Sequence, residues 1–105
     1  MRLEIKTEGV EFVVSRGPEP KSDGDGRQKA DRGTGELLYV TELVAMDDTG
    51  AEVIKVTTGG APKIAKRQLV HVTGLITVPW SFDGRSGVAF RAESINGAKA
   101  TAGAV

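Results

Sequence analysis

The chain of 105 residues contains no cysteine, which excludes disulfide bonds and thiolate metal ligands. This absence suits a reducing compartment, and we expect a cytoplasmic protein. The chain also lacks net charge, because 14 lysines and arginines balance 14 aspartates and glutamates. A protein with this balance that binds a polyanion must gather its cations on one surface.

Long apolar runs are missing as well. No stretch approaches the roughly 20 apolar residues of a transmembrane helix, and the N-terminal residues lack the apolar centre of a signal peptide, so we expect no membrane contact. The one histidine, His71, has no nucleophile or metal-ligand pattern around it. We therefore expect a protein that is not an enzyme and holds no metal or cofactor.

What the chain does have is alternation of apolar and polar residues with period two, which is typical of β-strands. Five such segments are residues 10–15, 36–46, 51–57, 69–80 and 87–95. Residues 61–68 predict one short helix between the third and fourth strands. This order favours an all-β fold, a five-stranded barrel of the OB (oligonucleotide/oligosaccharide-binding) type over residues 1–97. An open sandwich or meander is the alternative.

Two segments do not alternate. Residues 17–35 contain no aliphatic residue larger than Ala30 and are rich in glycine, proline and charge. Such a segment buries too little apolar surface to offset its ordering entropy, so we expect a mobile loop inside the domain. Residues 98–105 are mostly alanine and glycine, and we expect a disordered tail.

The second half of the chain carries a composite motif. A basic pair is followed by a valine-rich strand with a glycine in it, an aromatic residue, a polar hairpin loop and a returning strand. In this order, residues 64–95 resemble the second half of the bacterial-type single-stranded DNA-binding proteins. The residues that carry the resemblance are Lys66, Arg67, Val70, Val72, Gly74, the strand 75–78, Trp80, the loop 81–87 and the strand 90–95.

The resemblance implies an OB fold that binds single-stranded DNA with little sequence preference, as an accessory of replication, recombination or transfer. It also implies a homo-oligomer, either a dimer or a tetramer. Two features of the family are absent: the N-terminal Asn-x-Val-x-Leu-x-Gly pattern and the acidic tail that ends in phenylalanine. Their absence favours a compact plasmid or phage protein that does not recruit repair partners.

Single-strand binding combines aromatic rings, on which bases stack, with cations that hold phosphates. For Trp80 two interpretations stay open: a ring on which a base stacks, and a ring that caps the barrel. The parity that Trp80 shares with Val78 and the core side favours the cap. Pro79 and the turn can reset that parity and leave the ring free to stack. Arg91 is the best phosphate candidate, since it points away from the core side of its strand. The candidate interface residues are the aromatic Trp80, Phe82 and Tyr39 and the basic Arg85, Arg91, Lys55, Arg27, Lys29, Arg32, Lys66 and Arg67.

A second hypothesis is an OB-type protein–protein interaction module that does not bind nucleic acid. The neutral net charge favours it. Stacking and phosphate contacts serve RNA as well as DNA, so the residues do not distinguish the two polymers.

Overall fold

The computed structural model describes residues 3–22 and 26–97. This part of the chain is all-β, as the alternation predicted, and the described ranges contain no helix. None of it, therefore, is a helix long and apolar enough to cross a membrane. The strands are β1 (Leu3–Glu4), β2 (Glu11–Pro20), β3 (Leu38–Asp47), β4 (Gly50–Gly59), β5 (Leu69–Thr73), β6 (Ile76–Phe82), β7 (Arg85–Arg91) and β8 (Ser94–Gly97).

All eight strands belong to one sheet in the order β1-β6-β7-β4-β3-β2-β5-β8. Every neighbouring pair is antiparallel except β4 and β7, which run parallel. The predicted five-stranded barrel with a helix is therefore wrong in strand number, in the helix and in the hydrogen-bonded order, which is open. Two of the predicted strands are each divided in two, residues 69–80 into β5 and β6 and residues 87–95 into β7 and β8.

Gly74 divides the fourth predicted strand and changes which side chains face the core. Val72 before the break and Leu75 after it are both 3% exposed, although they are three residues apart. An unbroken strand turns residues of opposite parity to opposite faces, so the break shifts the alternation by one residue. Val78 and Trp80 consequently lie on the face away from the core. The core-side parity of Val78 and Trp80, which favoured a ring that caps the barrel, is wrong for this reason.

Substitution of Gly74 by alanine tests this break. Gly74 has φ of +67°, a left-handed conformation that costs other L-residues about 1–2 kcal/mol. A Cβ there would also lie 2.7 Å from Cγ of Glu93. We expect Gly74→Ala to lower the free energy of unfolding by about 1–3 kcal/mol in urea titrations. The matched control is Gly84→Ala, with φ of +78° but open space around it, and a larger loss in the control would contradict the crowding at residue 74.

Residues 61–68 do not form the predicted helix. Gln68 N donates to Ala65 O at 3.1 Å, and Arg67 has φ of +72°, so the segment ends in a tight turn. Nucleating a helix fixes several residues for each hydrogen bond gained, and a stretch of eight residues recovers little of that cost. Ile64 instead packs against the core and anchors the segment.

The predicted loop 17–35 begins later than expected, because β2 continues to Pro20. Its described part then folds back along β3 through backbone hydrogen bonds from Lys21 N to Leu38 O at 2.9 Å and from Leu38 N to Lys29 O at 2.8 Å. Mobility of this loop stays a prediction. Residues 23–25 of the loop and the predicted tail 98–105 lie outside the described residues.

The core lies on one side of the sheet, and it includes Phe12, which is buried, and Phe90, which is partly buried. Leu43 and Val56 are 0% exposed. The buried cluster consists of Phe12, Val14, Leu43, Val56, Val70, Val72, Leu75, Ala92 and Ile95.

Candidate nucleic-acid interface

The opposite surface of β3, β4, β7 and β6 forms one continuous face. Direct cross-strand partners on it are Val40 with Thr57, Thr57 with Arg91, and Val78 with Ala89. Partners in register share a face, and their sequence neighbours Val56 and Phe90 point to the core. We call the surface that carries these partners the outer face.

Trp80 lies on the outer face directly above Gly87, its cross-strand partner. A Cβ at residue 87 would lie 2.8 Å from Cζ2 and 3.2 Å from Nε1 of the indole, so the ring occupies the space of the missing side chain. Trp80 is 46% exposed. Of the two interpretations left open by the sequence, a ring on the outer face fits a stacking surface better than a cap on the core.

Two adjoining hollows cross the outer face. One, of about 560 Å³, lies beneath residues 29–33, and the other, of about 400 Å³, lies beside Trp80 and Val53. Both volumes fall within the roughly 300–1,000 Å³ typical of small-ligand sites. Both hollows are lined by Lys21, Thr57, Ala89 and Phe90. We call the two hollows together the track.

Charge along the track differs from that of the chain as a whole. Among the described residues that line it, the cations are Lys21, Lys29, Arg32, Lys55 and Arg91, and the one carboxylate is that of Asp31. A chain with no net charge has therefore placed an excess of positive charge on one surface, which is the arrangement that a polyanion requires.

Lys21 is the centre of this charge. Its Nζ donates a hydrogen bond of 3.1 Å to Thr57 Oγ1. Burial lowers the pKa of Lys21, and the positive charges of Lys29 and Arg91 lower it further. A lowered lysine pKa means that the protonated form is destabilised there, so an anion placed among these groups would relieve the repulsion.

Arg91 is on the outer face, as predicted, but it is paired. Its guanidinium forms an ion pair with Asp31, and the two side chains are 34% and 19% exposed. The other oxygen of Asp31 accepts hydrogen bonds from Gly33 N at 2.7 Å and Thr34 N at 3.0 Å. The amides of Thr34 and Gly33, followed by Arg91, hold the pKa of Asp31 below its ordinary value.

The track ends at Arg91. A neighbouring hollow, which Arg91 also lines, has three acidic residues in its lining, Asp31, Glu36 and Glu93. On the β3 side, Glu42 lies opposite Lys55 and accepts a hydrogen bond of 2.8 Å from Ser15 Oγ. Negative charge thus bounds the track at this end and along one side.

The structure does not place Tyr39 on the track. Tyr39 lies opposite the buried Thr58 and has the same parity as the fully buried Thr41. This parity places Tyr39 on the inward side of β3, and its predicted role in the interface stays a prediction.

The other predicted residues lie around the track or away from it. Arg85 is exposed and shares the parity of Gly87, so it extends the outer face toward the turn of the β6–β7 hairpin. The backbone of Phe82 pairs with Arg85, and its ring lies outside the described part of the structure. Arg27 is exposed but does not line the track. Lys66 and Arg67 lie away from the track. They precede β5, and β2 and β3 lie between β5 and β4 in the sheet.

Sequence reasoning missed two residues that shape the outer face. Lys21 follows Pro20 in a segment predicted to be mobile, and no local signal indicates that it folds back over Thr57. The value of Gly87 was also missed, although a glycine opposite a tryptophan in a predicted hairpin is a readable signal for a ring that lies on the backbone.

Among residues 3–22 and 26–97, no group of three or more histidine, aspartate or glutamate side chains is placed to hold a metal ion. No family model, curated protein or solved structure matched the chain.

Proposed function

We propose that the protein binds single-stranded DNA along the track, with little sequence preference and without catalysing a reaction. The observation that carries this proposal is the exposed Trp80 ring on the same face as an excess of lysine and arginine, in a chain of zero net charge. Stacking is tolerant of sequence because every base has a π-face, and phosphates are held by charge.

The strand connectivity supports an OB-type fold within this proposal. In an OB barrel the first strand pairs with the second and the fourth, and the third runs parallel to the fifth. Here β2 pairs with β3 and β5, and β4 runs parallel to β7. Only Gly74 and Leu75 separate β5 from β6 along the chain, so β5 and β6 together occupy the place of the fourth OB strand. The bases would then cross a surface that OB folds commonly use for ligands.

Each part of the track has a distinct task in this proposal. The indole of Trp80 receives one base, and the apolar side chains of Val53, Val78 and Ala89 offer further flat contact surface. Lys55 lines the same hollow as Trp80, Lys29 and Arg32 line the adjoining hollow, and Lys21 lines both. Successive phosphates would contact these cations as the strand leaves Trp80.

Fluorescence of the sole tryptophan tests the proposal directly. Titration with an oligo(dT) of about 30 nucleotides should quench the emission. If four cations of the track meet phosphates, the association constant should fall about 50-fold between about 50 mM and 200 mM salt, since each contact to a single strand contributes about −0.7 to the logarithmic slope. An oligo(rU) of equal length compares RNA with DNA. Unchanged tryptophan emission, together with no shift of labelled DNA in a gel, would refute the proposal.

A further hollow, of about 500 Å³, is less suited to a polyanion. It opens at the end of the core beside Phe12 and Leu75, and its charged groups are Lys6, Asp47 and Glu52. Two carboxylates against one amine repel phosphate, so we place nucleic acid on the track and not at this end.

A second candidate function, contact with a protein, has one observation in its favour. Leu69, Val13, Val44 and Val53 are direct cross-strand partners in sequence across β5, β2, β3 and β4. Leu69 and Val53, at the two ends of this row, are 41% and 61% exposed. Such a row suits a protein partner or the proposed dimer or tetramer. Affinity that hardly changes with salt would favour this candidate, because apolar contacts are not screened.

A further inference from the structure

We propose that the carboxylate of Asp31 takes the place of a phosphate at Arg91. In the free protein Asp31 forms an ion pair with Arg91, and the nucleic acid displaces it. This inference rests on the proposed function, because it names the regulation of the same site. It concerns Asp31, the carboxylate among the described residues that line the track, because a negative charge beside Arg91 opposes the binding of phosphate.

The turn that carries Asp31 orients its carboxylate. Asp31 N donates to Glu36 O at 2.7 Å, and Gly35 N donates to Asp31 O at 2.8 Å. One carboxylate oxygen is bound by the amides of Gly33 and Thr34, which leaves the other for Arg91. The loop therefore presents an anion whose charge and direction are fixed before any ligand arrives.

The position of the Asp31–Arg91 ion pair explains why Asp31 would affect the binding of nucleic acid. Arg91 is the direct partner of Thr57, and Thr57 accepts the hydrogen bond of Lys21, so the ion pair lies beside the central cation of the track. Arg91 remains 34% exposed, which leaves room for a phosphate to approach the guanidinium. A phosphate oxygen and a carboxylate oxygen make the same charge-assisted hydrogen bond to a guanidinium.

An internal competitor weakens binding by the fraction of time that it occupies its cation. A partly exposed ion pair contributes only about 0–1 kcal/mol, so Asp31 pairs with Arg91 for much of the time but a phosphate can still displace it. We therefore expect Asp31→Asn to bind oligo(dT) about fivefold more tightly than the unmodified protein. The logarithmic salt slope should become steeper by about 0.7, since the phosphate at Arg91 no longer releases a carboxylate that takes up a salt cation in exchange.

Asp31→Asn suits the test because the amide oxygen of asparagine still accepts the hydrogen bonds of Gly33 and Thr34. The matched control is Asp48→Asn, which makes the same charge change at an exposed residue in the β3–β4 turn. Thermal unfolding of each variant checks that the fold is retained. Binding is followed by Trp80 fluorescence and by anisotropy of labelled DNA.

The decisive measurement combines Asp31→Asn with Arg91→Gln. If Asp31 occupies Arg91, Arg91→Gln alone should change affinity less than twofold, whereas in the Asp31→Asn background it should remove the whole fivefold gain. Equal effects of Arg91→Gln in both backgrounds would show a purely structural ion pair and overturn the inference. A gain equal to that of Asp48→Asn would overturn it too. Failure of every variant, the unmodified protein included, to bind DNA refutes the proposed function, and the inference with it.

Discussion

Trp80→Ala is expected to weaken binding of oligo(dT) about tenfold or more, because stacking of a base on an aromatic ring contributes about 1–3 kcal/mol. The indole is 46% exposed and is not part of the buried core cluster. The free energy of unfolding should therefore change by no more than about 1 kcal/mol. Since the variant has no tryptophan, its affinity is measured by anisotropy of labelled DNA, and its stability by circular dichroism.

Two further variants separate the ring from its position. Trp80→Phe keeps an aromatic face and should retain most of the affinity. Gly87→Ala keeps the indole but places a Cβ 2.8 Å from Cζ2, so it lifts the ring from the backbone of β7 and should weaken binding. Unchanged affinity in Trp80→Ala, at a salt concentration where the unmodified protein binds, would remove Trp80 from the interface and leave the cations alone to account for binding.

The strands could be predicted because their signal is local. Alternation with period two predicted strands at residues 36–46 and 51–57, and the structure pairs these strands as β3 and β4, from Leu38 with Gly59 through to Asp47 with Gly50. The face on which a side chain lies, in contrast, depends on every residue between it and the start of the strand. One break at Gly74 reverses it for all of β6, which is why the sequence placed Val78 on the core side and left Trp80 undecided.

The helix was predicted wrongly, and the ion pair was not predicted at all, for other reasons. Residues 61–68 have no local pattern that tells a short helix from an anchored turn, and packing of Ile64 decides between them. Asp31 and Arg91 are 60 residues apart in the chain, so no spacing or motif announces that they meet. The sequence could predict that Arg91 faces outward but not that the loop neutralises it. Cation clusters on a neutral chain therefore require the fold before they can be read as a site.

Leu43→Ala is expected to cause the largest loss of stability, about 2–5 kcal/mol of the free energy of unfolding. Leu43 lies in the middle of β3, is 0% exposed and pairs with Val14 on one side and Ile54 on the other. The core of this chain has few large aromatic residues, so truncation of a central leucine leaves a cavity that its neighbours cannot fill. The loss is a large share of the roughly 5–15 kcal/mol that stabilises a domain of this kind.

The matched control is Leu69→Ala, the same chemical change at a leucine that is 41% exposed on the outer end of the apolar row. It should cost less than about 1 kcal/mol, because a surface side chain leaves no cavity. Urea titration of both variants gives the comparison, and the midpoint of thermal unfolding should fall by about 10 °C or more for Leu43→Ala only. Equal losses would mean that β3 does not face the core at Leu43. That result would also reverse the outer face, since Val40 and Thr57 are assigned to it by the same alternation that buries Leu43.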